Sequence, residues 1–320
     1  MTMLIVEVCQ NHNGSRETLR EMIRVAAKSG ADIVKMQSIW AADLTNRPWF
    51  EEGEVHERTG IRTAVRRPYA VEFERLSKLD LTLDDHQFFN ETCLESGVIP
   101  MTTIFARHRI EEVAGGYVPG RWTKVASYDC ASYPMLIELA EHYDNFVIST
   151  GATYDEEVGQ TADLMKRLGK RFVFLHCVTS YPNALQECHL SRMQWLRQFT
   201  PEVGWSDHTK VSENGTVAAK AALALGASYI ERHFTVLEED RTKDGPVSIT
   251  PAMLEDLSAF RDYSPEKQAQ VLDATYPFWR VTIGKPEREM GHIELLNRDY
   301  YRGRFASPKE GGGWRYNWER

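Results

Sequence analysis

The sequence predicts an α/β chain whose eight parallel strands close into a (β/α)8, or TIM, barrel. Three observations lead there. Short runs rich in Val, Ile and Phe recur eight times, amphipathic stretches separate them, and no GxGxxG follows the first run. Eight alternations over about 235 residues match the size of such a barrel. The missing glycine fingerprint weakens the competing open, doubly wound sheet.

In chain order the runs are "MLIVEV" (3–8), "ADIVKMQ" (31–37), "VIPMTTIF" (98–105), "TKVAS" (123–127), "NFVIST" (145–150), "FVFLHC" (172–177), "EVGWSD" (202–207) and "ASYIERHF" (227–234). Each is short and continuously apolar, as a strand buried on both faces should be. The first helix is expected over 15–30, "SRETLREMIRVAAKSG", with Leu19, Met22, Ile23, Ala26 and Ala27 on one stripe. Ser15 and Thr18 form a partial capping signal, and Gly30 ends the segment as a C-cap glycine would. Residues 214–228 repeat the pattern and finish near Gly226. No short-period repeat accompanies the βα alternation.

Residues 1–263 are therefore assigned to the barrel, with 41–83 as a lid-like insertion after the second strand. A long loop on that side of a barrel is either a substrate wall or a solvated insertion. Residues 264–320 are a C-terminal extension, expected to be linker-like and ending in the turn-rich "SPKEGGGWRYNWER".

The net charge of −8 argues against a nucleic-acid partner, although a locally basic pocket can still hold an anionic substrate. Five cysteines form no CxxC pair and are odd in number, which suits a reducing cytoplasm. The N-terminal apolar run lacks a basic flank and is too short for a signal peptide. No run approaches the roughly 20 apolar residues of a membrane span. A soluble, cytoplasmic protein with no membrane partner is expected.

In a barrel of this kind, chemistry gathers at the C-terminal ends of the strands. Those ends carry Glu7, Lys35, Gln37, Thr102, Thr103, Lys124, Ser127, Asp129, Ser149, Thr150, His176, Tyr181, Ser206, Asp207, His208, Glu231 and His233. All eight contribute, which a mere scaffold does not require. Lys35 and Lys124 interrupt apolar runs, so inward-pointing ammonium groups there need matching negative charge. With Thr103, Ser127, Ser149 and Ser206 they form a candidate cradle for a phosphate or carboxylate.

His208 and His233 close adjacent strands, close enough to share one ion. Imidazoles suit Mn, Fe, Co, Ni or Zn, and two ligands leave an open, catalytic site. A lone strand-end histidine is more often a hydrogen-bonded core residue, and that reading competes most strongly at His176. His12, in "QNHNG", is expected to serve turn geometry or substrate contact.

The ordered set "VEVCQNHNGS", "GADIVKMQ", "TKVASYDC", "VISTGA", "FLHCVTSYP", "GWSDHT", "GASYIERHFT" and "KDGPVSITP" resembles the sialic acid synthase family over residues 4–262. The resemblance implies a barrel that condenses phosphoenolpyruvate with an N-acetylmannosamine-like aldose. It implies a divalent ion, manganese foremost with magnesium or cobalt as alternatives, on His208 and His233. It implies phosphoenolpyruvate contacts from Lys35, Thr103, Lys124, Ser127, Ser149 and Ser206. Sugar contacts fall to Gln37, Tyr181 and Asp244, and proton work to Glu7 and Asp129. A homodimer is expected.

This sequence departs from the family pattern at Asp129, where glutamate is common, at Thr179, where bacterial members have asparagine, and at Ile104, which replaces a proline. The segment "IGKPEREMGHIELLNRDYYRGRF" resembles the family's linker, and the sequence given stops where a small antifreeze-like domain normally supplies an arginine to the sugar. Arg66 and Arg67 in the insertion and Arg315 in the tail are candidates to replace it. The alternatives are a synthase for a shorter or phosphorylated aldose, and an idle barrel that binds a sugar or a partner. A metal hydrolase is disfavoured because only two histidines stand out.

Overall fold

The structure, a computed structural model, describes residues 2–115 and 122–320. Eight parallel strands form the barrel: β1 (Met3–Cys9), β2 (Ile33–Ser38), β3 (Ile99–Ile104), β4 (Trp122–Val125), β5 (Asn145–Ser149), β6 (Arg171–His176), β7 (Val203–Asp207) and β8 (Tyr229–Phe234). Each pairs with the next, and β1 pairs with β8 with Met3 opposite Tyr229 and Glu7 opposite His233, so the sheet is closed. A two-residue strand, Ser248–Ile249, adds to the end of β8. Every strand lies within two residues of its expected run.

Helices return the chain between strands. The first, Arg16–Lys28, is capped by Ser15, whose hydroxyl accepts from the Thr18 amide, and buries Leu19, Met22, Ile23 and Ala26. Gly30 has φ +99, the left-handed conformation that glycine tolerates best. Outward-facing strand residues such as Leu4, Val6, Val8, Phe146, Phe174 and Ile230 pack with the helices in one large core.

Successive strand residues point to opposite faces, and this decides what the barrel encloses. Ile5, Ile33, Met101, Trp122, Val147, Leu175 and Tyr229 form a separate apolar plug inside it. Two residues further on, the inward positions are Glu7, Lys35, Thr103, Lys124, Ser149, Cys177 and Glu231. One step of the pleat thus changes the interior from apolar to charged.

The insertion is structured. It holds the helix Tyr69–Ser77 and a small hairpin, Glu54–Val55 with Arg62–Ala64. The extension differs from the linker-like expectation. It folds into helices Pro265–Thr275 and His292–Tyr301 and a hairpin, Ser307–Pro308 with Trp314–Arg315. Leu272 and Trp279 join the main core. Backbone bonds from Thr45 to Arg304 and from Ala306 to Asp43 tie the extension to the insertion. Among the described residues no helix is long and apolar enough to cross a membrane.

Candidate active site

A cavity of about 260 Å³ opens at the C-terminal ends of the strands. Its floor is a buried ring of charge. Lys35 Nζ contacts the Glu7 carboxylate and lies 3.4 Å from Thr103 Oγ1. Lys124 Nζ donates to Ser149 Oγ at 2.7 Å and sits 3.8 Å from Glu231 Oε1, which also accepts from Ser206 Oγ at 2.9 Å. The other Glu7 oxygen accepts from the Cys9 amide at 2.6 Å. Burial lowers the Lys35 ammonium below the usual lysine range and Lys124 adds to this, while Glu231 opposes it. Burial works the other way on Glu231, but Lys124 and Lys35 overcome it and keep the carboxylate ionised.

His208 and His233 stand on one wall with ring centroids 5.4 Å apart. Tyr181 packs against His208 at 4.2 Å. Burial pushes His208 down to about 4 and His233 to about 3, so both rings are neutral at pH 7. The Nδ1 atom of His208 faces the Val178 carbonyl at 3.3 Å, whereas that of His233 is buried without a partner. Asp244 turns toward the same point and accepts from the Cys9 thiol at 2.7 Å, and Gln37 donates its amide to that sulfur at 3.1 Å. Neutral buried imidazoles, one with an orphaned nitrogen, beside a carboxylate and a thiol are a donor set that fits a divalent ion.

The opposite wall comes from the insertion and the extension. Arg67 and Arg75 project from the former and Arg304 from the latter, and Lys243 joins them from the loop after β8. Glu72 holds three of these cations, with Arg304 at 2.6 Å, Arg75 at 3.1 Å and Lys243 at 3.6 Å. Burial alone would raise Glu72; Arg304, Lys243 and Arg75 instead bring it to about 2. Tyr301 stacks on Tyr128 at 4.8 Å and lines the same wall.

Of the residues singled out from sequence, Glu7, Lys35, Gln37, Thr103, Lys124, Ser127, Ser149, Tyr181, Ser206, His208, His233 and Asp244 all line this cavity. Asp129, expected to share the proton work, does not line it. It sits in a 3-10 turn beyond the end of β4, where its Oδ1 accepts from Ser132 Oγ at 2.8 Å and Asn317 Nδ2 at 3.0 Å.

Other strand-end residues point into the outer wall. His176 bonds the Cys188 carbonyl at 2.8 Å, Thr102 bonds Ser38, and Asp207 pairs with the fully buried Arg232 at 2.7 Å. His12 accepts from the Gly14 amide in its own turn. Neither Arg66 nor Arg315 lines the cavity, whereas Arg67 does. Cys9, Arg75, Lys243 and Arg304 were not singled out. Glu231 was seen only as a strand end, although its inward direction follows from His233 two residues on.

The sequence profile of the NeuB family matches residues 22–264, most of the chain. The chain belongs to this family, that of the sialic acid synthases. Among its relatives is an N,N'-diacetyllegionaminic acid synthase of Legionella pneumophila, 31% identical over 249 residues that cover 76% of this chain and 65% of the relative. An N-acetylneuraminate-9-phosphate synthase of Drosophila melanogaster is 29% identical over 258 residues, 80% and 66% of the two chains. The chain thus spans just under two thirds of these relatives' length.

In fold, this NeuB-family chain is similar to an N-acetylneuraminic acid synthetase from Leptospira borgpetersenii. The TM-score is 0.69 and the identity 22%, with 93% of this chain and 90% of that one covered. A spore coat polysaccharide biosynthesis protein from Bacillus subtilis has the same TM-score and identity, covering 93% and 77%.

Proposed function

We propose that this protein condenses phosphoenolpyruvate with the open-chain form of an N-acetylmannosamine-like aldose, releasing phosphate and a 2-keto-3-deoxy sugar acid. The observation that carries the reading is the buried ring of Glu7, Lys35, Lys124 and Glu231, facing a wall of neutral imidazoles. Two lysines held apart suit the two anionic groups of phosphoenolpyruvate. Lys124 with Ser149 takes one and Lys35 with Thr103 the other, with Ser127 and Ser206 completing the cradle. His208 and His233 would hold a divalent ion, manganese or another, which would supply Lewis acidity to the aldehyde.

In the reaction, carbon 3 of phosphoenolpyruvate attacks the aldehyde carbon, and positive character develops at carbon 2. Water adds there, and the tetrahedral centre expels phosphate with cleavage of the C–O bond. Glu7 is the base for that water: its carboxylate is fixed by the Cys9 amide and by contact with Lys35. Lys35 and Lys124 hold the substrate's charge through both steps, in a site shielded from water where such contacts are strong.

One observation favours a second reading, that the aldose is phosphorylated. Arg67, Arg75, Lys243 and Arg304 gather on one wall, where Glu72 pairs with the last three, which leaves that wall cationic. The test is phosphate release across a panel of aldoses that includes N-acetylmannosamine, its 6-phosphate, arabinose 5-phosphate and di-N-acetylated hexoses. Product mass equal to sugar plus the pyruvyl unit supports the reading and names the sugar. Silence across the panel, with no binding of phosphoenolpyruvate, sinks it. His233→Ala is expected to abolish turnover.

A further inference from the structure

Cys9 occupies a backbone position that suits it badly. Its φ is +49, in the left-handed region where glycine is at ease and a cysteine is strained. The strain arises at an irregularity in the β1–β2 pairing between Glu7 and Cys9, a device that re-aims a side chain. Here the thiol is delivered to the histidine wall. Cys9 Sγ, a carboxylate oxygen of Asp244 and a ring nitrogen of His233 all lie within 4.8 Å of one another. A second, independent observation points to a ligand at that spot: His233 is 7% exposed, and its Nδ1 has no hydrogen-bond partner.

We propose that Cys9 and Asp244 are metal ligands, completing with His233, and with His208 alongside, a mixed sulfur, nitrogen and oxygen site. The three converging groups come from the end of β1, from β8 and from the loop after it, so the set exists only once the barrel closes. On binding, the thiol releases its proton to solvent, and the sulfur's lone pair goes to the ion. Gln37 points its amide N–H at the sulfur from 3.1 Å, as a donor that steadies a thiolate does.

The consequence is selectivity. A thiolate favours zinc, iron(II) or cobalt over magnesium and manganese more strongly than two imidazoles with oxygen donors do. Asp244, expected at the sugar, becomes a ligand in this account, and Gln37 becomes its supporting residue.

The proposal rests on the reading that this barrel holds a divalent ion, and its test reads the ion rather than turnover. Full-length protein is loaded with cobalt(II), bound metal is quantified, and the near-ultraviolet thiolate-to-cobalt charge-transfer band is recorded. The parent is expected to show the band, and Cys9→Gly and Cys9→Ser to lose it. Cys9→Gly also removes the backbone strain, so it keeps the test open should the serine variant fail to fold. Cys177→Ser removes the other thiol of the cavity and is expected to keep the band. Asp244→Asn is expected to weaken cobalt binding at least tenfold with the band still visible at saturation.

Stoichiometric cobalt without the band overturns the thiolate ligand and leaves the histidine pair and the synthase reading standing. A band that survives in Cys9→Gly overturns it equally. No cobalt binding in the parent overturns the metal site itself.

Discussion

Glu7 and Asp129 are both buried carboxylates at the C-terminal end of a strand, yet only Glu7 faces the cavity. Within a strand, the period of two tells inward from outward, so Glu7, Lys35, Lys124 and His233 were legible from the run of apolar neighbours. Asp129 lies four residues beyond Val125, the last residue of β4, where that period no longer applies. Its turn points it at Asn317, a contact no local pattern announces. Glu7→Gln is expected to lower turnover at least 100-fold, the scale of a lost general base, with little change in melting temperature. Asp129→Ala is expected to do the reverse. It costs about 1–3 kcal/mol of stability through the orphaned Ser132 and Asn317 donors, and turnover stays within a few-fold. Phosphate release and thermal melts on the two variants separate these outcomes.

His176 makes a second prediction at this scale. Burial, with Arg288 as the next cause, holds it well below the ordinary histidine value of about 6.5. Above that value it is neutral in both folded and unfolded chains and contributes no pH dependence. Below it the unfolded chain takes up a proton that the folded one refuses, so stability falls as pH drops from about 6.5 toward the depressed value. Urea melts at pH 7.5 and 5.5 are expected to show this loss, and His176→Gln is expected to make it smaller. An unchanged slope in the variant would rule the histidine out as its source.

At the scale of elements, the strands and their helices follow from composition, whereas the two cavity-wall segments do not. The extension reads as linker because it is rich in charge, Gly and Pro. Its order comes from partners far back in the chain: Glu294 accepts from the Thr179 amide, Asn297 donates to the Thr179 carbonyl, and Arg304 meets Glu72. Such contacts exist only after the barrel has formed. Sequence offered Arg66, Arg67 and Arg315 for the arginine role; of these Arg67 reaches the cavity, where Arg75 and Arg304 join it. Arg304→Ala is expected to raise the KM for the acceptor sugar at least tenfold while the KM for phosphoenolpyruvate stays within twofold, since it removes binding on one wall only. A parallel rise in both would mean that the extension collapses rather than that one contact is lost.

At the scale of the whole molecule, the barrel has to be narrow enough for its floor residues to touch. Gly204 marks how narrow. A Cβ built there would lie 2.1 Å from the Tyr229 carbonyl oxygen and 2.7 Å from Leu175 Cδ2. Gly204→Ala is expected to cost about 3 kcal/mol or more, because backbone and plug must both shift. A denaturant midpoint unchanged from the parent would contradict that closeness. The net charge of −8 belongs to the outside of the molecule, while the cavity carries more lysine and arginine than acid. Overall charge therefore misleads about the substrate, and the cavity's own residues describe it.

The central claim is that the charged floor and the histidine wall join phosphoenolpyruvate to a sugar. The measurement that tests it most directly uses phosphoenolpyruvate labelled with oxygen-18 in the bridging ester position, with the full chain, a divalent ion and the aldose panel. The account predicts labelled phosphate, released only when an aldose is present. Unlabelled phosphate, or release that needs no sugar, would contradict it.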